Sequence, residues 1–356
     1  MTPKRRFLAA LDLEMPDQVP TMYQHLGGAY HVQSISKRTI QDGYHDASVF
    51  AELCLTAWKE FHHDNVMAGW GDCFMEAQAF GVKLSFPVPT EYPRGVEVPF
   101  ERLDDLQPVD PLTNKIWSIP LKAAMEMRER VQDNALVLGA MNDPFVVSSS
   151  IRGYENLLLD QIVQPDVARR LLRTVTESLN EYGRHLRQYS GLEAVFVEDG
   201  LSDAQQNDLT NATNFDIAYC KELIDGLRTV GLRVILSNCS MDPYIKEQFS
   251  ACSPTAMHFP VEWKGYGETV ENFNNLGCVV AGLHQRRTIY EGTPATIRKK
   301  VRDVIDSFGA RGGLIISSAG EMAFDMPPEN ITALANATED YDSHLIDPSR
   351  HQPRRR

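Results

Sequence analysis

The sequence predicts an α/β fold: a single (β/α)8 TIM barrel with an N-terminal extension and a proline-rich excursion at its rim. Two observations carry this. Eight short apolar runs recur along the chain, each ending in polar residues, and amphipathic stretches long enough to cross back over a parallel sheet lie between them. Eight strands of nearly continuous apolar character suit closure into a barrel better than an open doubly wound sheet, which stays as the alternative.

The first run is Val19 to Gln24, after an opening in which Lys4, Arg5 and Arg6 precede a short apolar patch. The second, Asn65 to Trp70, follows His62, His63 and Asp64; adjacent histidines point apart, so this trio is expected to cap a helix end or face solvent. The stretch Pro87 to Pro111 is rich in proline and too weakly periodic for a crossover helix. It reads as an excursion near the pocket mouth, or as one that merely packs on the surface. Leu136 to Met141 is halted by Asn142, Asp143 and Pro144. Asp166 to Gln188 sets Val167, Leu171, Leu172, Val175 and Leu179 near the helical period, with Arg and Glu opposite. Ala194 to Val197 runs into Glu198-Asp199-Gly200, and Val234 to Leu236 into Ser237-Asn238-Cys239. Ala256 to Phe259, Val279 to Leu283 and Leu314 to Ile316 complete the set. Thr293 and Pro294 open a helix as N-cap and first position, running through Ile297, Val301, Val304 and Ile305 to Phe308, and Pro327-Pro328-Glu329-Asn330 starts the last one. No linker or composition shift divides residues 110–340, so one barrel domain is expected over residues 1–345, with a basic tail at 346–356.

Of the 356 residues, 43% are hydrophobic, close to the globular average, which excludes a disordered chain. Forty-eight acidic against 35 basic side chains leave a formal charge of −13. That balance argues against a nucleic-acid binder, and more weakly against a polyanionic substrate, because a pocket's charge can oppose the net charge. No apolar run is long enough for a membrane span, and the acidic residues and prolines after the first patch are unlike a secretory signal. The six cysteines are scattered and form no C-x-x-C pair, so a reducing, cytoplasmic setting is the simplest expectation.

An active site in such a barrel is built at the carboxyl ends of the strands. The residues there are Gln24 and His25; Asp72 and Glu76; Asn142 and Asp143; Glu198 and Asp199; Asn238 and Cys239; His258 and Glu262; His284; and Ser317, Ser318 and Glu321. Asp143 and Asp199 are read equally well as helix caps. Glu198, Cys239 and His258 come from three successive strands and are competent zinc ligands, the rival reading being satisfied polar core residues. Arg286 and Arg287 suit either a substrate anion or surface acids. No phosphate loop or nucleophile elbow completes around Gly27-Gly28, Gly312-Gly313 or Ser148-Ser149-Ser150.

Several segments carry a family likeness. These are Met1-Thr2-Pro3-Lys4-Arg5-Arg6-Phe7 to Leu11 with Pro16-Asp17-Gln18-Val19-Pro20; Asp64 with Asp72 and Glu76 to Gly81; and Asn142-Asp143-Pro144-Phe145 to Gly153-Tyr154-Glu155. Later come Glu291-Gly292-Thr293-Pro294, Leu314 to Ser318, and Pro327-Pro328-Glu329-Asn330-Ile331. Together they resemble the uroporphyrinogen decarboxylase superfamily over nearly the whole chain. That superfamily includes the decarboxylase itself and zinc- and corrinoid-linked methyltransferases. The resemblance implies the barrel independently of the strand count.

Departures from the family pattern point to a branch. The decarboxylases carry two arginines after the first strand that bind an acidic porphyrinogen; here Met22 to Tyr30 contains neither, although Asp72 lies near their catalytic aspartate. The methyltransferases hold zinc with a His-x-Cys after the fifth strand and a Cys after the eighth. This chain has Ser237-Asn238-Cys239 and Gly320, so one of three ligands remains. The resemblance therefore implies a corrinoid-linked methyltransferase demethylating a small, methoxylated substrate, its corrinoid (cobalamin) arriving on a partner protein. Zinc is expected only with a changed ligand set, Glu198, Cys239 and His258. In that reading Glu198 or His258 is metal ligand or general acid, Asp72 and Glu321 orient the substrate, and Tyr23, Trp70 and Trp263 wall it in. His25, Asn142, Asn238 and His284 complete the substrate-binding set. The alternatives are decarboxylation, or a catalytically silent ligand-binding barrel. A homodimer is left open.

Overall fold

A computed structural model of the chain describes residues 1–70, 72–97, 103, 106–262, 277–308, 312–339 and 341. Trp263 and the basic tail lie outside the described residues. Eight strands form one all-parallel sheet in the order β1-β10-β9-β8-β7-β6-β5-β2, curled into the predicted barrel. They are β1 (Thr21–Met22), β2 (Asn65–Ala68), β5 (Leu136–Asn142), β6 (Ala194–Asp199), β7 (Arg233–Asn238), β8 (Ala256–Pro260), β9 (Cys278–Leu283) and β10 (Leu314–Ser318), each coinciding with one of the apolar runs. Two further short strands, β3 (Lys83–Ser85) and β4 (Arg94–Glu97), form an antiparallel pair at the start of the proline-rich excursion.

Strand periodicity divides the apolar side chains into two cores. Met22, Met67, Leu138, Phe196, Ile235, Ala256, Val280 and Ile315 point into the barrel. There they meet Phe7, Ala10 and Leu11 of the N-terminal helix Pro3–Leu11, which plugs the bottom. The alternate residues, among them Val137, Val195, Val197, Val234, Leu236 and Ile316, face the surrounding helices. The helix predicted from Asp166 runs Pro165–Gln188, with proline at its first position, and buries Leu171, Leu172, Val175 and Leu179 as the periodicity requires. Helix Pro294–Phe308 buries Ile297, Val301, Val304, Ile305 and Phe308, and Thr293 caps it, its Oγ1 accepting from Thr296 N at 3.3 Å.

The barrel seam is closed differently from the rest. Among the described residues no ladder joins β1 to β2. Instead the fully buried Asn65 side chain copies a ladder rung: its Oδ1 accepts from Tyr23 N at 2.9 Å and its Nδ2 donates to Tyr23 O at 3.0 Å. One residue earlier, Asp64 accepts from Thr21 N at 2.8 Å and from Arg6 at 3.0 Å. The expectation that His62, His63 and Asp64 face solvent or cap therefore holds only for His62, which ends helix Ala47–Phe61 in the left-handed conformation. His63 is buried edge-on against Tyr23, and burial lowers its imidazole to about 3. Among the described residues no helix is long and apolar enough to cross a membrane.

Candidate active site

Alternation decides which strand-end groups reach the barrel mouth. On β6, Ala194 and Phe196 point inward and Val195 and Val197 outward, so Glu198 faces the mouth and its neighbour Asp199 lies under the helices. By the same parity Asn142 on β5 and Ser237 on β7 face inward, while Asn238 faces outward.

The inward groups form an ionisable cluster around His25, which leaves β1 in the left-handed region at φ 48° and so turns its ring across the mouth. Burial by itself would strip the proton from this imidazole. The Glu198 carboxylate 3.4 Å from Nε2, then Glu321, then the Gly69 carbonyl accepting from Nδ1 at 2.9 Å outweigh that effect and push it up to about 9. Glu321, following β10, is driven the other way: burial pushes its carboxyl up to about 8, against the pull of His25 and the Tyr92 hydroxyl that donates to it, and with help from the Glu198 and Asp72 charges. Burial also lifts Asp72 to about 6, although the Tyr44 hydroxyl and the Phe74 N–H at 2.7 Å stabilise its charge. Glu76 reaches about 7 through burial, opposed by Asn142 N–H at 3.1 Å. Asn142 also donates to the Asp72 carbonyl at 3.2 Å, tying the two acids together. At neutral pH the cluster thus holds a charged imidazole beside a carboxylic acid that still carries its proton, the arrangement a general acid needs.

Aromatic rings wall this cluster. Trp70 lies stacked between Tyr44 and Phe50, with ring centroids 5.5 and 4.3 Å away, and meets Tyr92 edge-on at 6.2 Å. A cavity of about 510 Å³ opens beyond Glu321, bordered by Tyr92, Tyr290, Phe324 and Gln285. Arg286 stands at its edge, four-fifths exposed at 79% and paired with Glu291. Tyr92 comes from the proline-rich excursion, so that segment reaches the pocket rather than merely covering the surface. Neither Tyr92 nor Tyr44 was among the strand-end candidates. For Tyr92 the excursion itself was the signal; Tyr44 sits in a short helix with no signal of its own.

Of the sequence-predicted site residues, His25, Trp70, Asp72, Asn142, Glu198 and Glu321 converge. Others are occupied elsewhere. Tyr23 follows the inward Met22 and therefore points outward, donating its hydroxyl to the Ile331 carbonyl. Asn238, fully buried on the outer side, donates to Ser202 O at 3.0 Å and Gln248 Oε1 at 2.8 Å and accepts from the Ser240 hydroxyl at 2.7 Å. His284 accepts from Arg287 N at 3.4 Å and caps the π-helical turn Gln285–Tyr290, while its own N–H is held by Glu262. These three act as structural groups.

The zinc set was Glu198, Cys239 and His258. His258 is fully buried inside the barrel with both ring nitrogens engaged: the Ser237 hydroxyl lies 2.8 Å from Nδ1 and the Ser318 carbonyl 2.8 Å from Nε2. Burial lowers this ring to about 4, so it is the neutral, satisfied core histidine of the rival reading. Cys239 Sγ stands 3.6 Å from His258 Nδ1, and burial raises its thiol to about 12. Among the described residues the three do not meet as a cluster of ligand atoms within 4.8 Å; the group that does is Asp143, Asp199 and Asp216. A β-carbon built at Gly320 would lie 3.8 Å from that of Cys239, so the backbone still brings the two positions together while one side chain is missing. These residues do not fit a zinc ion as they stand.

Comparison with known proteins agrees with the geometry. The sequence model of the family Uroporphyrinogen decarboxylase (URO-D) matches residues 2–341. The chain is 20% identical to the uroporphyrinogen decarboxylase of Pseudoalteromonas translucida (strain TAC 125), covering 94% of this chain and 96% of that protein. Among solved structures it resembles a methyltransferase from Methanosarcina mazei, with a TM-score of 0.87 at 18% identity over 96% of this chain and 99% of that one. A B12-independent methionine synthase from Shewanella sp. W3-18-1 shares the fold more loosely, at TM-score 0.53 and 13% identity over 83% and 87% of the two chains. With the barrel, the mouth cluster and a match spanning residues 2–341, the chain belongs to the uroporphyrinogen decarboxylase (URO-D) family.

Proposed function

We propose that this protein is a methyltransferase that removes a methyl group from a small, neutral, methoxylated aromatic compound and passes it to a corrinoid protein. The observation that carries the reading is the protonated Glu321, which borders an aromatic-walled cavity and has the charged His25 acting on it from the buried side. An aryl ether would lie against Tyr92, Tyr290 and Phe324, which border the cavity beside Glu321. When its methyl–oxygen bond breaks, the electron pair stays on oxygen, and a proton from Glu321 converts the leaving group to a neutral phenol. His25, held by Glu198, offsets negative charge developing on that oxygen. The corrinoid, carried by a partner, supplies the acceptor for the methyl group. The fold likeness to the Methanosarcina mazei methyltransferase supports this reading.

Among the described residues the groups acting most strongly on His25, Asp72 and Glu321 include no arginine, and Arg286 at the cavity edge is paired with Glu291, which disfavours a substrate bearing many carboxylates. Decarboxylation keeps a place as second reading because Asp72 lies near the position of the decarboxylases' catalytic aspartate and the matched Pseudoalteromonas protein is a uroporphyrinogen decarboxylase. One experiment separates them. Purified protein is incubated with reduced corrinoid protein and a panel of neutral methoxybenzenes and methoxyphenols, and in parallel with uroporphyrinogen alone. Methylated corrinoid with a stoichiometric phenol product supports methyl transfer; carbon dioxide release from uroporphyrinogen, with no methylated corrinoid, replaces it with decarboxylation.

A further inference from the structure

The cavity beside Glu321 is bordered by a polar side chain that the proton transfer does not use. Gln285 opens the π-helical turn Gln285–Tyr290 that follows β9 and stands half-buried at the cavity wall. The turn that carries it is tied down at both ends. At its start Glu262 accepts from the His284 N–H at 2.6 Å and from the Thr288 hydroxyl at 2.8 Å, and the His284 ring caps the turn. At its end the buried Asn330 amide donates to Ile289 O at 2.7 Å and to Gly292 O at 3.1 Å. The Gln285 side chain therefore starts from a fixed backbone.

The two hydroxyls and the guanidinium that border the same cavity are already engaged. The Tyr92 hydroxyl donates to Glu321, the Tyr290 hydroxyl to Asp325 at 2.8 Å, and Arg286 Nε to Glu291 at 3.0 Å. The Gln285 amide, by contrast, makes no hydrogen bond among the described residues. It lies over Gly320: a β-carbon built there would stand 3.3 Å from the amide nitrogen and 3.7 Å from the amide carbon. Glycine at that position leaves the room the amide occupies, and the next residue in the chain is the acid, Glu321. An unpaired amide and the proton donor thus border one aromatic cavity. Ligand pockets fix orientation with a few such polar groups set among apolar walls.

We propose that Gln285 is the specificity-determining residue of this site and binds a second oxygen substituent, a phenolic hydroxyl, on the ring of the methoxylated substrate. The inference rests on the methyl-transfer reading of the cavity and narrows its substrate class to methoxyphenols. A carboxamide both donates and accepts, and a hydroxyl does the same, so each can satisfy the other. A carboxylate only accepts, and it would enter a cavity already bordered by Glu321 and Asp325. A ring without a polar substituent would strip water from the amide and leave it unpaired. With the hydroxyl held by Gln285, the ring cannot turn in its own plane, which keeps the methoxy oxygen toward Glu321.

The test measures binding alone, by calorimetric titration of the full chain with no corrinoid protein present. Methoxybenzene is compared with the ortho, meta and para isomers of methoxyphenol, on the wild type and on Gln285→Met, which keeps the side chain's length and removes the amide. At least one isomer should bind the wild type about tenfold more tightly than methoxybenzene does, and in Gln285→Met that ratio should fall to within about threefold. Methoxybenzene serves as the internal reference, so a general disturbance of the pocket moves both affinities and leaves the ratio where it was. A preference that survives in Gln285→Met overturns the proposal, and so does equal binding of all four compounds to the wild type; in both cases the methyl-transfer reading stands. Failure of the wild type to bind any of the four overturns the proposal together with the aryl-ether reading on which it rests.

Discussion

At the scale of single residues, the site turns on opposite displacements of two neighbours. Glu321 is lifted to about 8 by burial, so it carries its proton at pH 7 and loses it as pH rises through that value. Methyl transfer should therefore fall above about pH 8. Glu321→Gln, which keeps the shape and removes the transferable proton, should lower kcat about 10²–10⁴-fold and erase that alkaline limb. A variant that keeps the wild-type profile would show that the proton comes from elsewhere. Tyr92 is the partner that ties this acid to the rim, and it is reached only because the excursion folds back across the mouth. By contrast His258, the residue that spacing made most attractive as a ligand, is sealed between Ser237 and Ser318. Its chemistry is spent on filling the barrel interior with a satisfied polar group.

At the scale of elements, the joint of the barrel that no backbone ladder closes among the described residues is the one between β1 and β2, bridged by the Asn65 side-chain rung. Asn65→Ala would leave the buried N–H and C=O of Tyr23 without partners, at about 1–3 kcal/mol each, so a loss of about 2–6 kcal/mol is expected in chemical denaturation. A loss below about 1 kcal/mol would mean that water or backbone closes the seam unaided. A second expectation concerns the facing ends of β7 and β10. In Gly320→Cys the new β-carbon would stand 3.8 Å from that of Cys239, inside the range that a disulfide spans. Mild oxidation should therefore remove two free thiols relative to the reduced variant, and mass spectrometry of the peptides should find the bridge at Cys239. Persistence of both thiols would show that these strand ends do not face each other across the mouth. The seam is not visible as a motif, because a lone asparagine acquires meaning only when its strand is placed, whereas the family resemblance already marks Cys239 and Gly320 as ligand positions.

For the whole molecule, the balance of buried ionisable groups sets the pH range of stability. Asp72, Glu76 and Glu321 have folded values raised to about 6, 7 and 8, and His25 to about 9. Each raised group contributes stability that is complete below its unfolded value and is lost as pH climbs through the folded one. His63 and His258 are lowered to about 3 and about 4, so their contribution is complete above 6.5 and is lost as pH falls. Asp199, raised to about 6, and Asp143 and Asp216, raised further by burial, add to the acids, which outnumber the two histidines, so stability should be greatest near about pH 4 and decline toward pH 9, as read by urea unfolding across that range. Stability that holds or grows up to pH 9 would show that the mouth acids are already ionised at neutrality.

The chain's own pattern determined the barrel. Eight apolar runs and the intervening helical periods located every barrel strand, because burial on both faces leaves a near-continuous hydrophobic signature that needs no tertiary information. The strand ends were also singled out as candidate positions, and six of the ten catalytic and substrate-binding candidates converge at the barrel mouth. What only the tertiary structure decided is which side of the wall each group occupies. Side chains alternate every residue along a strand, so Glu198 and Asp199 are interchangeable in the sequence, yet one meets His25 in the mouth and the other joins Asp143 and Asp216 under the helices. A shift of one residue in register would exchange them, and register is set by packing over the whole closed sheet rather than by any local motif.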